Sequence, residues 1–168
     1  FIYVRPTTFI YSVSLHDALP IWLDIIGVKA LEAGKTYVIR DIEGVKTAFL
    51  NFGYSSPLAD GSLSINGLIL PKNMVNLMDA FDPEDLEGTV TKIEQRIEEA
   101  RGDGAEVIVI CLHWGDEYHR LPNRFQQELA IRLVELGADM IFGGHPHVLQ
   151  PVVRSEEHTS ELQSLSHL

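Results

Sequence analysis

Residues Glu106 to His147 read EVIVICLHWGDEYHRLPNRFQQELAIRLVELGADMIFGGHPH, and this stretch decides the fold class. Val107 to Leu112 is too short an apolar run for a helix of its own and is dense in β-branched residues, which predicts a strand buried on both faces. Between Asn123 and Leu136, the residues Phe125, Leu129, Leu133 and Leu136 fall on one helical stripe, and Gly137 stops the helix. Met140-Ile141-Phe142 reads as a second short strand. Strand, helix and strand together take roughly 40 residues, the length of a right-handed parallel crossover. The chain is therefore expected to be α/β, organised by a parallel strand-helix-strand unit.

In such a crossover both strands point the same way. The loops beyond their carboxyl ends emerge at one edge of the sheet, where open α/β folds bind ligands. His113 directly follows the first strand, and His145 and His147 lie just past the second. If the strands are neighbours, these distant imidazoles come within reach of one ion. Imidazole nitrogens suit Zn, Mn or Fe, and Glu117 or Asp116 can add an oxygen ligand or orient a ring. In Gly143-Gly144-His145-Pro146-His147 the glycines permit unusual backbone angles and close approach of a ligand. The plainer reading makes GGHPH a turn with two surface histidines and His113 a strand-end cap over a packed Trp114. Either motif alone leaves both readings open; their shared place at strand ends favours the metal.

Other side chains in the stretch have simpler expected roles. His119, beside Arg120 in a polar loop, should face water. Trp114 and Tyr118 either wall a pocket or join the core, and Arg120 either pairs an anionic substrate or faces solvent. Cys111, inside the apolar strand, reads as a small core residue and not a nucleophile. Gln150-Pro151 should carry the loop after His147 away from the sheet.

Toward the N-terminus, Tyr37 to Ile42 and Val45 to Phe52 alternate β-branched and aromatic residues around Asp41-Ile42-Glu43-Gly44, which predicts a β-hairpin. Gly53 to Asn73 is rich in Ser, Gly, Pro and Asn and reads as a long loop with one short strand at Leu68 to Leu70. Asp82 as N-cap and Pro83 at the first helical position open a helix whose apolar stripe is Leu86, Val90, Ile93, Ile97 and Ala100, ending at Gly102. Its outer face, with Glu87, Lys92, Glu94, Arg96 and Glu98, is a solvated surface.

The ends of the chain look foreign. RSEEHTSELQS, from Arg154 to Ser164, is what one frame of a common sequencing-adapter oligonucleotide encodes, and SLHDALPI, from Ser14 to Ile21, resembles the opposite adapter in another frame. Residues 1–21 are therefore expected to be read-through, 22–153 a partial domain, and 154–168 an adapter-derived tail. Of the seven histidines, His16, His158 and His167 fall in these ends, leaving His113, His119, His145 and His147.

Composition narrows the function classes. At 168 residues, 45% hydrophobic and 22% charged, the chain has the makeup of one globular domain. A formal charge of -11 argues against a phosphate-tracking basic surface, so no nucleic-acid partner is expected. One cysteine excludes an intrachain disulfide and any multi-cysteine zinc motif. No run reaches the roughly 18 to 20 apolar residues of a membrane span.

HWGDEY, a proline, and then FQQELAIRLVELGADMIFGGHPHVLQPV closely resemble the poly-gamma-glutamate capsule biosynthesis (CapA-like) proteins, whose fold belongs to the calcineurin-like metallophosphoesterases. The likeness is specific over Val107 to Val153, looser over Tyr37 to Tyr54, and absent from the ends. It implies a layered α/β sandwich of metallophosphoesterase-like architecture, of which this chain is a fragment. His113 matches the histidine of the family's His-Trp-Gly-x-Glu motif, Glu117 its acidic partner, and His145 and His147 its Gly-x-His-Pro-His motif. On this match His113 and Glu117 are the candidate catalytic residues, and His113, His145 and His147 the candidate ligands of a divalent Mn, Zn or Fe ion. Gly144 stands where family members often have another histidine.

The family's aspartate after its first strand and its Asn-Asn-His segment should precede Trp22, and its Gly-Asn-Phe segment should follow Val153; none is present in the sequence. The resemblance thus implies a capsule protein with a metal-dependent hydrolase-like site, and a fragment that is incompletely liganded and inactive alone. It further implies an anionic polymer or phosphoester substrate, a capsule synthase complex as partner, and an extracytoplasmic place in the cell envelope for the intact protein. Two other functions compete: a non-catalytic scaffold of an envelope complex, and a general metallophosphoesterase unconnected with capsule.

Overall fold

The computed structural model describes residues 2–4, 37–57, 63–65, 68–69 and 79–154. The adapter-like stretches Ser14 to Ile21 and, from residue 155 onward, RSEEHTSELQS lie outside these residues, as do the three histidines of the ends and most of the Gly53 to Asn73 loop.

Nine strands among the described residues form one sheet: β1 (Ile2–Val4), β2 (Tyr37–Ile42), β3 (Val45–Pro57), β4 (Leu63–Ile65), β5 (Leu68–Ile69), β6 (Asp79–Phe81), β7 (Val107–His113), β8 (Met140–Gly144) and β9 (Val152–Arg154). Two helices, α1 (Leu86–Gly102) and α2 (Arg124–Glu135), supply the crossovers. Their order is β5-β4-β3-β7-β8-β1-β9, with β2 and β6 also pairing with β3. The fold is mixed α/β with a mostly parallel central sheet. No helix among the described residues is long and apolar enough to cross a membrane.

The hairpin forms as expected. Glu43 and Gly44 take the left-handed region at φ 52 and 89, and the Asp41 carboxylate accepts the Gly44 N–H at 2.8 Å, closing the turn. The strand after the turn runs farther than its sequence suggests, to Pro57. Partners change along its length: β2 covers its start, β6 takes over that edge at Phe52–Tyr54, and β4 pairs with Ser55–Pro57. Its Ser-rich end is a strand because β6 and then β4 pair with it, a tertiary effect invisible to local composition.

α1 starts later than expected. Asp82 and Pro83 form a turn in which the Asp82 carboxylate accepts Glu84 N–H and its carbonyl accepts Asp85 N–H. Asp85 is the N-cap, accepting Gly88 N–H at 2.9 Å. Both aspartates can cap; Asp82 is engaged in the preceding turn, where its carbonyl also accepts the Thr89 hydroxyl at 3.1 Å, and the helix that buries Val90, Ile93 and Ile97 begins after Asp85. α2 obeys its sequence signals closely. Asn123 and Gln126 form a reciprocal capping box, and Gly137 at φ 97 follows the last turn.

β7 is buried on both faces. On one side Ile108, Ile110 and Leu112 join Ala48, Leu50, Phe52 and Ile141 beneath Val90, Ile93 and Ile97 of α1 and Leu129, Ala130 and Leu133 of α2. On the other, Val109 and Cys111 pack with Phe49, flanked by Val38, Met140 and Phe142. Removing a fully buried aliphatic side chain such as Ile110 costs about 2 to 5 kcal/mol. At the opposite end from the histidines, Asp139 accepts both Ile108 N–H at 2.8 Å and the Arg101 guanidinium at 2.9 Å, fixing β7 to β8.

β3, β7 and β8 run parallel as neighbours, and their register places Gly53, His113 and Gly144 in one row. The residues just beyond that row form the site.

Candidate metal centre

The crossover delivers the histidines to one rim. The His113 and His145 rings lie 4.6 Å apart between centroids, and those of His145 and His147 6.0 Å apart. Glu117 Oε1 lies 3.7 Å from His147 Nε2. One ligand atom from each of Glu117, His145 and His147 falls within 4.8 Å of the others, close enough to share an ion. His113 abuts this set through its ring contact with His145. Asp116, the other candidate carboxylate, instead accepts from the Asn123 amide at 2.9 Å.

The backbone here is held in an uncommon conformation. Four non-glycine residues have positive φ among those described; Glu43 belongs to the hairpin turn, and the other three are Tyr118 (62), His145 (93) and His147 (56). The left-handed region costs roughly 1 to 2 kcal/mol for such residues, so it persists only where surrounding contacts impose it. Those contacts are visible. Trp114 N–H donates to Gly144 O at 3.2 Å and Tyr118 N–H to Pro146 O at 2.7 Å, joining the loop after β7 to the loop after β8.

Two glutamines complete the stitching. Gln126, 0% exposed, caps α2 and donates to Gln150 Oε1 at 3.0 Å. The Gln150 amide in turn donates to the carbonyls of His119 at 2.9 Å and Leu121 at 3.4 Å. The expected departure of the chain at Gln150-Pro151 is thus corrected: Gln150 is buried and ties its loop back to the site. Gly115, at φ 84, leaves room for this network, since a Cβ there would lie 2.5 Å from Gln126 Oε1. Sequence reasoning missed Gln126 and gave Gln150 a different role; the Asn-x-x-Gln capping spacing was the available signal for Gln126.

Electrostatics keep His113 neutral. Burial, and then the neighbouring His145 and His147 imidazoles, hold its pKa below the ordinary histidine value. Its Nε2 and the Nδ1 of His145 are buried with no hydrogen-bond partner among the described residues. Buried polar atoms ordinarily find partners, so two orphaned imidazole nitrogens on adjacent rings fit a site that accepts a cation. The chemistry of the donors agrees, since imidazole and carboxylate suit Zn, Mn and Fe.

The remaining side chains divide clearly. His119 and Arg120 are exposed, and His119 Nδ1 lies 2.9 Å from its neighbour Glu117 O. Trp114 is core, whereas Tyr118 is 71% exposed and stacks on His147 with centroids 5.8 Å apart. Cys111 is buried, as its strand position implies. Tyr54, which falls in the expected Gly53 to Asn73 loop and not in the expected hairpin strand, lies in β3, contacts His113 and His145, and was not anticipated.

Fold and rim together define a mixed α/β protein, consistent with a fragment of metallophosphoesterase-like architecture, with its candidate site at the carboxyl ends of parallel strands. More particularly, residues 21–159 match the family model described as "Bacterial capsule synthesis protein PGA_cap", and the chain belongs to that family. It is 32% identical over 132 residues to the PGA biosynthesis protein CapA of Bacillus subtilis (strain 168), covering 77% of this chain and 30% of that protein. It is also 32% identical over 136 residues to the capsule biosynthesis protein CapA of Bacillus anthracis, covering 76% of this chain and 28% of that protein. The chain thus spans under a third of the length of these relatives. No solved structure matches it.

Proposed function

We propose that this chain carries part of a divalent-cation site of a capsule biosynthesis protein, built from Glu117, His145 and His147 with His113 beside them. The observation that carries the reading is the convergence of those three donors within 4.8 Å, from loops on two different strands. Neutral imidazoles and a carboxylate would hold Mn, Zn or Fe. A bound cation of this kind supplies Lewis acidity and a water activated at neutral pH.

The chain's own residues do the rest. Glu117, half-exposed beside His147, accepts a proton or orients the His147 ring. Burial of His113 keeps its lone pair unprotonated at neutral pH. The substrate is an anionic polymer such as poly-gamma-glutamate, or a phosphoester, handled on the extracytoplasmic side of the envelope in company with a capsule synthase. A net charge of -11 repels such a polymer in bulk, so approach relies on positive charge at the site itself. A hydrolase that works through two cations needs more donors than the three that converge here, so this chain alone is expected to be catalytically inactive; robust phosphodiester cleavage on addition of Mn or Zn would refute that.

The functional test belongs in a full-length relative. Replacing the histidines equivalent to His145 and His147 by alanine should abolish bound metal and polymer production together. Loss of metal with undiminished polymer would overturn the hydrolase-like reading in favour of a scaffold.

A further inference from the structure

Tyr54 is the first residue of β3 beyond the Gly53–His113–Gly144 register row. Its ring stacks on His113 with centroids 5.8 Å apart and planes inclined by 17°, and meets His145 edge-on at 5.2 Å and 61°. One aromatic ring thus touches an imidazole from each half of the crossover. Tyr54 is itself half-buried and packs against the core cluster under α1 and α2, so the ring is carried by the rigid part of the sheet and not by a loop.

This placement matters because the histidine χ2 torsion is soft. An imidazole on a loop explores a broad, roughly two-fold range of ring orientations, and each must be frozen when a ligand is bound. The His113 and His145 nitrogens make no hydrogen bond at Nε2 and Nδ1, so hydrogen bonding at those atoms does not set the ring planes. What the two rings share is contact with a third, core-anchored ring.

We propose that Tyr54 is a positioning residue of the site, whose ring fixes the planes of the His113 and His145 imidazoles relative to each other. The proposal rests on the cation reading above for its consequence, but the restraint exists before any cation binds. Groups that orient a ligand from behind are worth about 10- to 100-fold in metal affinity. The aromatic face and edge carry the effect, so phenylalanine should replace tyrosine.

The experiment compares the cation-free full chain with Tyr54→Phe and Tyr54→Leu, reading order parameters of the His113 and His145 ring C–H groups by NMR and then Zn2+ affinity by titration. Tyr54→Phe should match the parent in both. Tyr54→Leu should lower both order parameters and weaken Zn2+ binding by about 10- to 100-fold. Should Tyr54→Leu fail to fold, Tyr54→Met carries the same comparison. Unchanged ring order in the folded aliphatic variant overturns the proposal, as does unchanged Zn2+ affinity with loosened rings. If the parent binds no Zn2+, the cation reading fails, and the ring order parameters still decide whether Tyr54 restrains the imidazoles.

Discussion

The backbone N–H of Tyr118 donates to the carbonyl of Pro146 over 2.7 Å, which ties the loop bearing Glu117 directly to the loop bearing His145 and His147. Both residues sit inside the site: Tyr118 directly follows Glu117, and Pro146 separates the two histidines. The link explains how Tyr118 and its two histidine neighbours across the gap are kept in the left-handed region. It also means that the site depends on residues that never face a ligand.

Gly115 tests that dependence. Its φ of 84 disfavours any side chain, and a Cβ would collide with the buried Gln126 amide. Gly115→Ala should lower unfolding free energy by about 1 to 3 kcal/mol, read from the urea midpoint. Gly102, where a Cβ meets nothing within 4 Å, supplies the control: Gly102→Ala should not destabilise. Equal behaviour of the two variants would mean that the Gln126 network does not constrain the loop.

His113 gives the cation-free protein a pH dependence of defined sign. Its folded pKa is depressed by burial and by the adjacent imidazoles. Above the unfolded value of about 6.5 both states are neutral and the contribution to stability is complete. As pH falls below that value toward the depressed folded pKa, the unfolded chain takes up the proton first and stability is lost. Urea midpoints should therefore fall between pH 7.5 and 5.5, and His113→Gln should flatten the slope. A slope unchanged by that substitution would remove His113 as its source.

Cys111 should be chemically silent. Burial pushes its thiol up to about 12, so almost no thiolate exists at neutral pH. Modification by a disulfide reagent should proceed only as fast as the protein unfolds, and rapid stoichiometric labelling of the native chain would contradict the placement of β7 in the core.

Much of this was legible in the residues. The crossover from Val107 to His147 follows from a β-branched run, a capped apolar stripe and a second run, because each is a local signal that the tertiary structure reinforces. The meeting of His113 with His145 followed from topology alone. Less legible were features set by partners distant in sequence. The extension of β3 to Pro57 depends on β4 and β6, and the start of α1 at Asp85 goes with a turn at Asp82 whose carbonyl accepts the Thr89 hydroxyl seven residues on. Tyr54 enters the site only because β3 is the third parallel strand, a neighbour relation that no local pattern announces. Gln150 looked like the start of an exit because its partners, His119 and Leu121, lie in a loop about thirty residues earlier.

The central claim is that Glu117, His145 and His147 hold a cation in common. Titrating Zn2+ into the cation-free chain, and into Glu117→Gln, His145→Ala and His147→Ala, measures it directly. The account predicts binding by the parent and a loss of about tenfold or more in each variant that stays folded. A parent that takes up no Zn2+, or variants that bind it as tightly as the parent, would contradict it.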